Sequence, residues 1–378
     1  MRQQKNDSFY ISAACVLGAE KVLAQELTLL GFLDIERAAG RVFFSADAAG
    51  VARALINLRT ADRLFLQLGS YRAEDFDQLY EGAHALSWEL LIGAKDRLVI
   101  EKAKCSRSRI DSQSTVQAMV QKAAYERLCA LYKQARMPET GQIISARVRL
   151  ESDTAWIEVD LSGEALSRRG YRRVATEAPL KESVAAALLF IAGWKRSFPL
   201  YDVFCGAGTI PIEAALYAFD IAPGLNRSFT WDKMPAASQA ALQDERAAAH
   251  DRIRTDREVL IGGSDADGSV VKAALANAGH AGLSDRVKFF QCKAEDAVPP
   301  AERGFLFADP PYGKRLGTPE EAEQLYGRLS GMAERFAGWN LCFVVDRENF
   351  GANLGRGAPK RTKLTDGAEM RWFHRFTK

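Results

Sequence analysis

Alternating apolar and polar residues mark strands along the first third of the chain, and apolar residues at helical spacing mark the segments between them. "FYISAACV" (9–16) reads as a strand, "GAEKVLAQELTLLGF" (18–32) as a helix, "GRVFFSAD" (40–47) as a strand, "AAGVARALINLR" (48–59) as a helix and "DRLFLQLGSYR" (62–72) as a strand. This βαβαβ order predicts a small α+β unit of ferredoxin-like type over 1–72. A second unit is predicted over 73–165. There "DRLVIEKAKCSRSRI" is a strand running into a basic loop, and "DSQSTVQAMVQKAAYERLCALYK" is a helix capped by Asp111 or Ser112. "GQIISARVRLESDTAWIEVDLSG" is a hairpin turning at Glu151, Ser152 and Asp153.

The pattern changes at "EALSRRGYRRVATEAPLKES", where Arg168, Arg169, Arg172 and Arg173 crowd together, and a linker is placed over 166–180. Beyond it strands and helices alternate. Helices are predicted at "VAAALLFIAGW", "GTIPIEAALYAF", "GSVVKAALANAG" and "PEEAEQLYGRLSGMAERF". Strands are predicted at "LYDVF", "EVLIGGSD", "DRVKFFQCKAED", "GFLFAD" and "WNLCFVV", with an antiparallel pair closing the sheet edge in "PKRTKLTDGAEMRWFHRF". Repeated βα units predict a Rossmann-like, doubly wound, mostly parallel sheet over 166–378, an α/β domain behind the α+β units.

Composition narrows the class. The 378 residues are 47% hydrophobic and 26% charged, ordinary for a globular protein, and no apolar run reaches membrane-spanning length. The start lacks the layout of a signal peptide, so a cytoplasmic protein with no membrane partner is expected. Six scattered cysteines without a C-x-x-C, and four histidines, give no metal site. A net charge of +3 is too small to identify a nucleic-acid partner, so local clusters carry that question.

In a doubly wound sheet ligands bind beyond the carboxyl ends of the strands. Four such ends carry chemistry here. In "LYDVFCGAGTIPIEAA", Asp202 ends a strand and Gly206 and Gly208 form a turn into a helix. Pro211 replaces the third glycine of a dinucleotide fingerprint, and the next strand-end acid, Asp265, comes far later than the ~20 residues that fingerprint requires. A dinucleotide is therefore disfavoured. Asp265 suits two ribose hydroxyls, Asp267 suits a helix cap, and Asp296 suits an adenine amino group. The fourth end is "ADPPYGKR". Asp309 and the carbonyl of Pro310 can accept both hydrogens of a planar amine and turn its lone pair toward an electrophile. Pro310 and Pro311 stiffen the turn, and Tyr312 can stack on a base. The electrophile that suits an adenosine site without a pyrophosphate is the sulfonium methyl of S-adenosylmethionine, leaving S-adenosylhomocysteine.

These residues resemble a known family. "FCGAGTIPIEAA" is similar to motif I of class I S-adenosylmethionine-dependent methyltransferases, and "ADPPYGKR" to their (N/D)PPY motif. "VDLSGEALSRRGYR", "EAPLKESVAAALL" and "IAPGLNRSFTWDKMP" resemble the bacterial 23S ribosomal RNA guanine-N2 methyltransferases, the amino-terminal half of the fused enzyme and its stand-alone relatives. The resemblance implies a THUMP RNA-binding domain over 73–165. By position it places Asp202, Cys205, Gly206, Ala207, Gly208 and Thr209 along the methionine and adenosine. It places Asp265 on the ribose, Ala266 and Asp296 at adenine, Pro179 and Lys181 near the methionine tail, and Asp309 to Tyr312 at the target base. The family usually carries proline at 203, serine at 207 and asparagine at 309, where this chain has Val203, Ala207 and Asp309.

Lys102, Lys104, Arg107 and Arg109 suit contacts to RNA phosphates, as do the linker arginines 168, 169, 172 and 173 unless they pin the linker, and Lys314 and Arg315 beside a flipped base. The expected activity is methyl transfer to guanine N2 in 23S RNA or a large-subunit assembly intermediate. The alternatives are a tRNA guanine-N2 methyltransferase, an N6-adenine methyltransferase and a non-catalytic RNA-binding assembly factor.

Overall fold

The computed structural model of the protein describes residues 8–174, 180–311, 319–351, 354–367 and 369–377. The first unit contains β1 (Phe9–Ala14), α1 (Glu20–Leu29), β2 (Glu36–Ala38), β3 (Arg41–Ala46), α2 (Ala48–Asn57) and β4 (Arg63–Arg72). It is a ferredoxin-like domain with one strand more than the pattern predicts. β2 is three residues long and exposed throughout, so it carries no alternation to read. The second unit adds α3 (Phe76–Ala85), β5 (Arg97–Ser106), α4 (Gln113–Tyr132), β6 (Ile143–Glu151) and β7 (Thr154–Asp160). Ser112 caps α4, its hydroxyl accepting from the Thr115 N–H.

β4 and β7 pair antiparallel, which joins both units in one seven-stranded sheet, β2-β3-β1-β4-β7-β6-β5. Helices cover one face, where Ile11, Val42, Leu64, Ile144 and Ile157 are all inaccessible to solvent. Alternation along each strand turns the opposite residues to the other face.

The C-terminal part contains α5 (Glu182–Ala192), β8 (Leu200–Asp202), α6 (Thr209–Ala218), α7 (Gln239–Asp251), β9 (Ile261–Asp265), α8 (Gly268–His280) and β10 (Lys288–Gln291). β11 (Gly304–Ala308), α9 (Pro319–Arg328), α10 (Met332–Arg335), β12 (Trp339–Val345), β13 (Lys360–Asp366) and β14 (Glu369–Phe376) follow. The sheet order is β10-β9-β8-β11-β12-β14-β13, parallel from β10 to β12 and antiparallel at β14 and β13. Two predicted elements are shorter. The strand expected over 285–296 ends at Gln291 and gives way to a 3-10 turn, and the single helix expected over 319–336 breaks before Met332.

The two parts are tied by chain that the pattern did not assign. Between α6 and β9, Phe229, Trp231, Met234 and Leu242 leave the parallel sheet and join the core of the N-terminal sheet. α7 in that segment packs on α2, where Asn57 Nδ2 donates to Glu245 at 2.8 Å. The linker is pinned as well. Arg169 is buried, ion-paired to Glu213 of α6 at 3.4 Å, and donates to the carbonyls of Leu166 and Arg59.

Candidate active site

Chain order reverses between β8 and β11. From β8 the sheet grows one way through β9 and β10, then the chain crosses to β11 on the other side. Doubly wound sheets bind ligands in the crevice this reversal opens. A cavity of 580 Å³ lies there, lined by Asp202, Phe204, Cys205, Gly206, Thr209, Asp265, Ala266, Glu295, Asp309 and Pro311 among others. The size suits a small-molecule or cofactor site.

The wall nearest β8 is the glycine turn. Gly206 and Gly208 both have positive φ, +49° and +86°. The Gly206 N–H donates to Asp265 at 3.1 Å and the Gly208 N–H to the Cys205 carbonyl at 2.8 Å. Asp265 also accepts the Asp267 N–H at 3.1 Å, so its carboxylate locks the turn and the start of α8 together. Each carboxylate oxygen accepts one of these bonds and keeps capacity for a ligand hydroxyl. Asp267 caps α8 through the Ser269 N–H at 2.7 Å.

Asp202 is almost fully buried and accepts the Phe204 N–H at 3.1 Å. Burial pushes its carboxyl well above the usual range, and the nearby carboxylates Asp309 and Asp265 push it further. Three acids converging on one cavity favour a ligand that brings positive charge. A sulfonium with an α-amino group meets that requirement. The apolar surfaces of Phe204, Val270, Ala294 and Leu325 suit a flat aromatic base. These residues fit S-adenosylmethionine, with the acids toward its cationic end or ribose and the apolar wall toward adenine.

Several expected site residues sit elsewhere. Asp296 is exposed and does not line the cavity; the 3-10 turn aims Glu295 inward instead, within 3.7 Å of Arg328. Lys181 does not line it either, because its amine is held by Asp366 of β13 at 2.7 Å. Arg172 turns inward rather than toward solvent. It donates to the Leu180 carbonyl at 2.7 Å and the Thr209 hydroxyl at 3.0 Å, and pairs with Glu182 at 3.1 Å. It and buried Arg169 are therefore withdrawn from any surface contact with RNA. Arg168 and Arg173 are exposed, as are Lys102, Lys104, Arg107 and Arg109. Pro179, Tyr312, Lys314 and Arg315 lie outside the described residues.

Besides Glu295, Phe204 and Asn277 also escaped sequence reasoning. Phe204 lines the cavity. Asn277 of α8 is fully buried; its amide donates to the carbonyls of Ala207 and Val174 at 3.2 and 3.3 Å, and its oxygen accepts the Arg173 and Val174 N–H groups. An asparagine inside an ordinary helix pattern carries no sequence signal of such a role.

A mostly parallel sheet of this order, with a glycine turn after its first strand and Asp309-Pro310-Pro311 after its fourth, defines a Rossmann-like S-adenosylmethionine-dependent methyltransferase. Residues 169–368 match the family UPF0020, the RMKL-like methyltransferase domain, and residues 11–65 match the RlmL ferredoxin-like domain. The chain belongs to this RMKL-like methyltransferase family. Over 95% of its length it is 35% identical to the Bacillus subtilis protein named "Putative RNA methyltransferase YpsC", covering 93% of that protein. It is 34% identical to "Ribosomal RNA large subunit methyltransferase K/L" of Syntrophotalea carbinolica over 93% of its own length, but spans 51% of that relative. SMU.472, solved as "a putative methyltransferase complexed with SAH", superposes over 98% of both chains with a TM-score of 0.92 and 32% identity.

Proposed function

We propose that the protein transfers a methyl group from S-adenosylmethionine to the exocyclic N2 amine of a guanine in 23S ribosomal RNA. The observation that carries the reading is Asp309 and Pro311 on the wall of the acid-lined cavity, directly after β11. The names of the K/L and YpsC relatives support RNA as the substrate class. The second N-terminal unit, 73–165, serves in this reading as the THUMP RNA-binding domain.

The bound cofactor supplies an electrophilic methyl carbon. Asp202 would hold the cofactor's ammonium, Asp265 the ribose hydroxyls, and Glu295 the adenine amine. Asp309 and the Pro310 carbonyl would accept the two guanine amine hydrogens. That fixes the lone pair toward the methyl and leaves Asp309 placed to take the surplus proton. Fixed acceptors of this kind act by prepositioning, with little reorganisation left for the transition state. The guanine must leave its stack to enter the cavity.

Purified protein incubated with radiolabelled cofactor should label unmodified 23S RNA, with N2-methylguanosine in the digest. Asp309→Ala should lose that labelling while still binding RNA. Labelling of tRNA alone, or N6-methyladenosine in the digest, would overturn the substrate assignment. Full complementation of a deletion strain by Asp309→Ala would favour the assembly-factor reading.

A further inference from the structure

The cofactor carries one anionic group, the carboxylate of its methionine part, and the cavity walls repel it. Asp202, Asp265, Asp267, Glu295 and Asp309 all line the cavity. The two cations on the wall, Lys293 and Arg328, stand with Glu295, and Arg328 lies 3.7 Å from that carboxylate. Glu295 marks the proposed adenine end, so neither cation is placed for the methionine end. Lys181 does not line the cavity, and Asp366 holds its amine at 2.7 Å. A carboxylate that found no donor among these acids would pay both repulsion and desolvation.

A donor stands beside the glycine turn. Thr209 opens α6, lines the cavity and is 6% exposed. Its hydroxyl oxygen accepts from Arg172 Nη2 at 3.0 Å. A hydroxyl has one hydrogen to give, and among the described residues Thr209 gives it to none. Arg172 itself is held on two sides. Its Nε donates to Glu182 at 3.1 Å, and Nη2 also donates to the carbonyl of Leu180, another cavity residue, at 2.7 Å. Glu182 thus occupies the Nε side, while Nη1 has no partner among the described residues. The Arg172 side chain is mostly buried, so its contacts are little weakened by solvent.

We infer that Thr209 receives the cofactor's carboxylate by donating its hydroxyl hydrogen, and that Arg172 is a positioning residue that orients and polarises this hydroxyl from behind the cavity wall. The Arg172 N–H occupies a lone pair of the Thr209 oxygen, which turns the O–H away from the guanidinium. Hydrogen bonds in a chain polarise one another, so a charged donor on the oxygen makes its own O–H a stronger donor. A linker residue thereby takes part in holding the cofactor. The inference rests on the cofactor assignment and on the ammonium lying at Asp202, and adds the group that faces the carboxylate. It does not depend on which RNA is methylated.

The test is calorimetric titration of the full chain with S-adenosylhomocysteine and with its decarboxylated analogue, which keeps the adenosine, the sulfur and the amine. An acid-lined cavity with no receiver for the carboxylate would favour the analogue, which is the more cationic of the two. The wild-type protein should instead bind S-adenosylhomocysteine at least as tightly. Thr209→Val should weaken S-adenosylhomocysteine by about 10- to 150-fold, the range of one lost hydrogen bond to a charged group, and change the analogue by less than about threefold. Thr209→Ser should keep the wild-type affinity for both ligands. Arg172→Met should reproduce the selective loss. A variant that merely loosened the turn would lose both ligands together, so equal losses would overturn the inference. Wild-type affinity in Thr209→Val, or a wild-type protein that prefers the analogue, would overturn it too. Thr209→Val leaves the Arg172–Glu182 pair in place and keeps the test decisive if Arg172→Met fails to fold. A wild-type protein that bound neither ligand would overturn the cofactor assignment and the inference with it. No readout here uses RNA, so the 23S substrate reading stands or falls on its own labelling experiment.

Discussion

The two glycines of the cofactor turn should respond differently to the same added methyl. A Cβ at position 208 would lie 2.8 Å from Phe289 Cζ and 3.1 Å from the Ala274 methyl, both in the packed core. At 206 a Cβ would meet nothing within 4 Å, and the residue lines the cavity. Left-handed backbone costs an L-residue about 1–2 kcal/mol at either site. Overpacking adds about 1–3 kcal/mol at 208 alone. Gly208→Ala should therefore lose about 2–5 kcal/mol of stability and Gly206→Ala about 1–2 kcal/mol. The ligand side reverses the order of interest. The new methyl at 206 occupies space beside the ligand, so Gly206→Ala should lose S-adenosylhomocysteine affinity at least tenfold while remaining folded. Urea unfolding of both variants, with calorimetric titration of the ligand, separates the effects. Equal unfolding midpoints would refute the packing argument. Undiminished ligand affinity in Gly206→Ala would refute the placement of the cofactor against this turn.

Arg169→Met should destabilise the protein by about 3–5 kcal/mol in urea, because it strands the buried carboxylate of Glu213. Arg169→Met with Glu213→Leu should recover much of that loss, and a loss below about 1 kcal/mol in the single variant would contradict the pinned linker. Asp202 bears on pH. Its folded-state affinity for a proton is raised by burial, so the folded protein holds the proton more tightly than the unfolded chain. Stability from this group is present at low pH and falls as pH rises from the unfolded value of 3.8 through the higher folded one. Asp202→Asn should flatten that fall, unfold at higher urea near neutral pH than the parent, and bind S-adenosylhomocysteine more weakly. A variant less stable than the parent at pH 8 would show that the ionised carboxylate is not penalised.

Much of the catalytic end was legible because its signals are local. Strand ends, glycines with a required backbone, and a double proline each constrain the chain within a few residues. Asp202, Asp265, Asp309 and the glycine turn accordingly converge on one cavity. The misplacements arise where side-chain direction decides. Glu295 and Asp296 are adjacent acids, and only the 3-10 turn selects which one faces inward. The arginine cluster reads equally as an RNA-contacting patch or as a pin for the linker, and the pattern cannot choose, because Arg169 and Arg172 meet Glu213 and Glu182 across distances it does not encode. The same limit hid the joining of two predicted units into one sheet. The β4–β7 pairing links strands more than 80 residues apart, and its only local trace is two ordinary strand patterns.

The inward arginines also explain why the linker belongs to the active site rather than beside it. The turn from Cys205 to Thr209 makes few polar contacts with its own strand. It is held from three directions: by Asp265 on the Gly206 N–H, by Asn277 on the Ala207 carbonyl and by Arg172 on the Thr209 hydroxyl. Asn277 binds the linker backbone at Arg173 and Val174 through the same amide, and Arg172 is a linker residue. Arg169, three residues earlier, bonds the Arg59 carbonyl of the N-terminal domain and Glu213 of α6. A continuous polar chain thus runs from the N-terminal domain through the linker to the cofactor turn. Buried polar groups in such a chain must all be satisfied together, since an unpaired member carries a desolvation penalty of about 1–3 kcal/mol. The methyltransferase domain excised at the linker would therefore lose more than the N-terminal sheet. It would strip Glu213 of Arg169 and Asn277 of its bonds to Arg173 and Val174, and so loosen the turn that has to meet the cofactor.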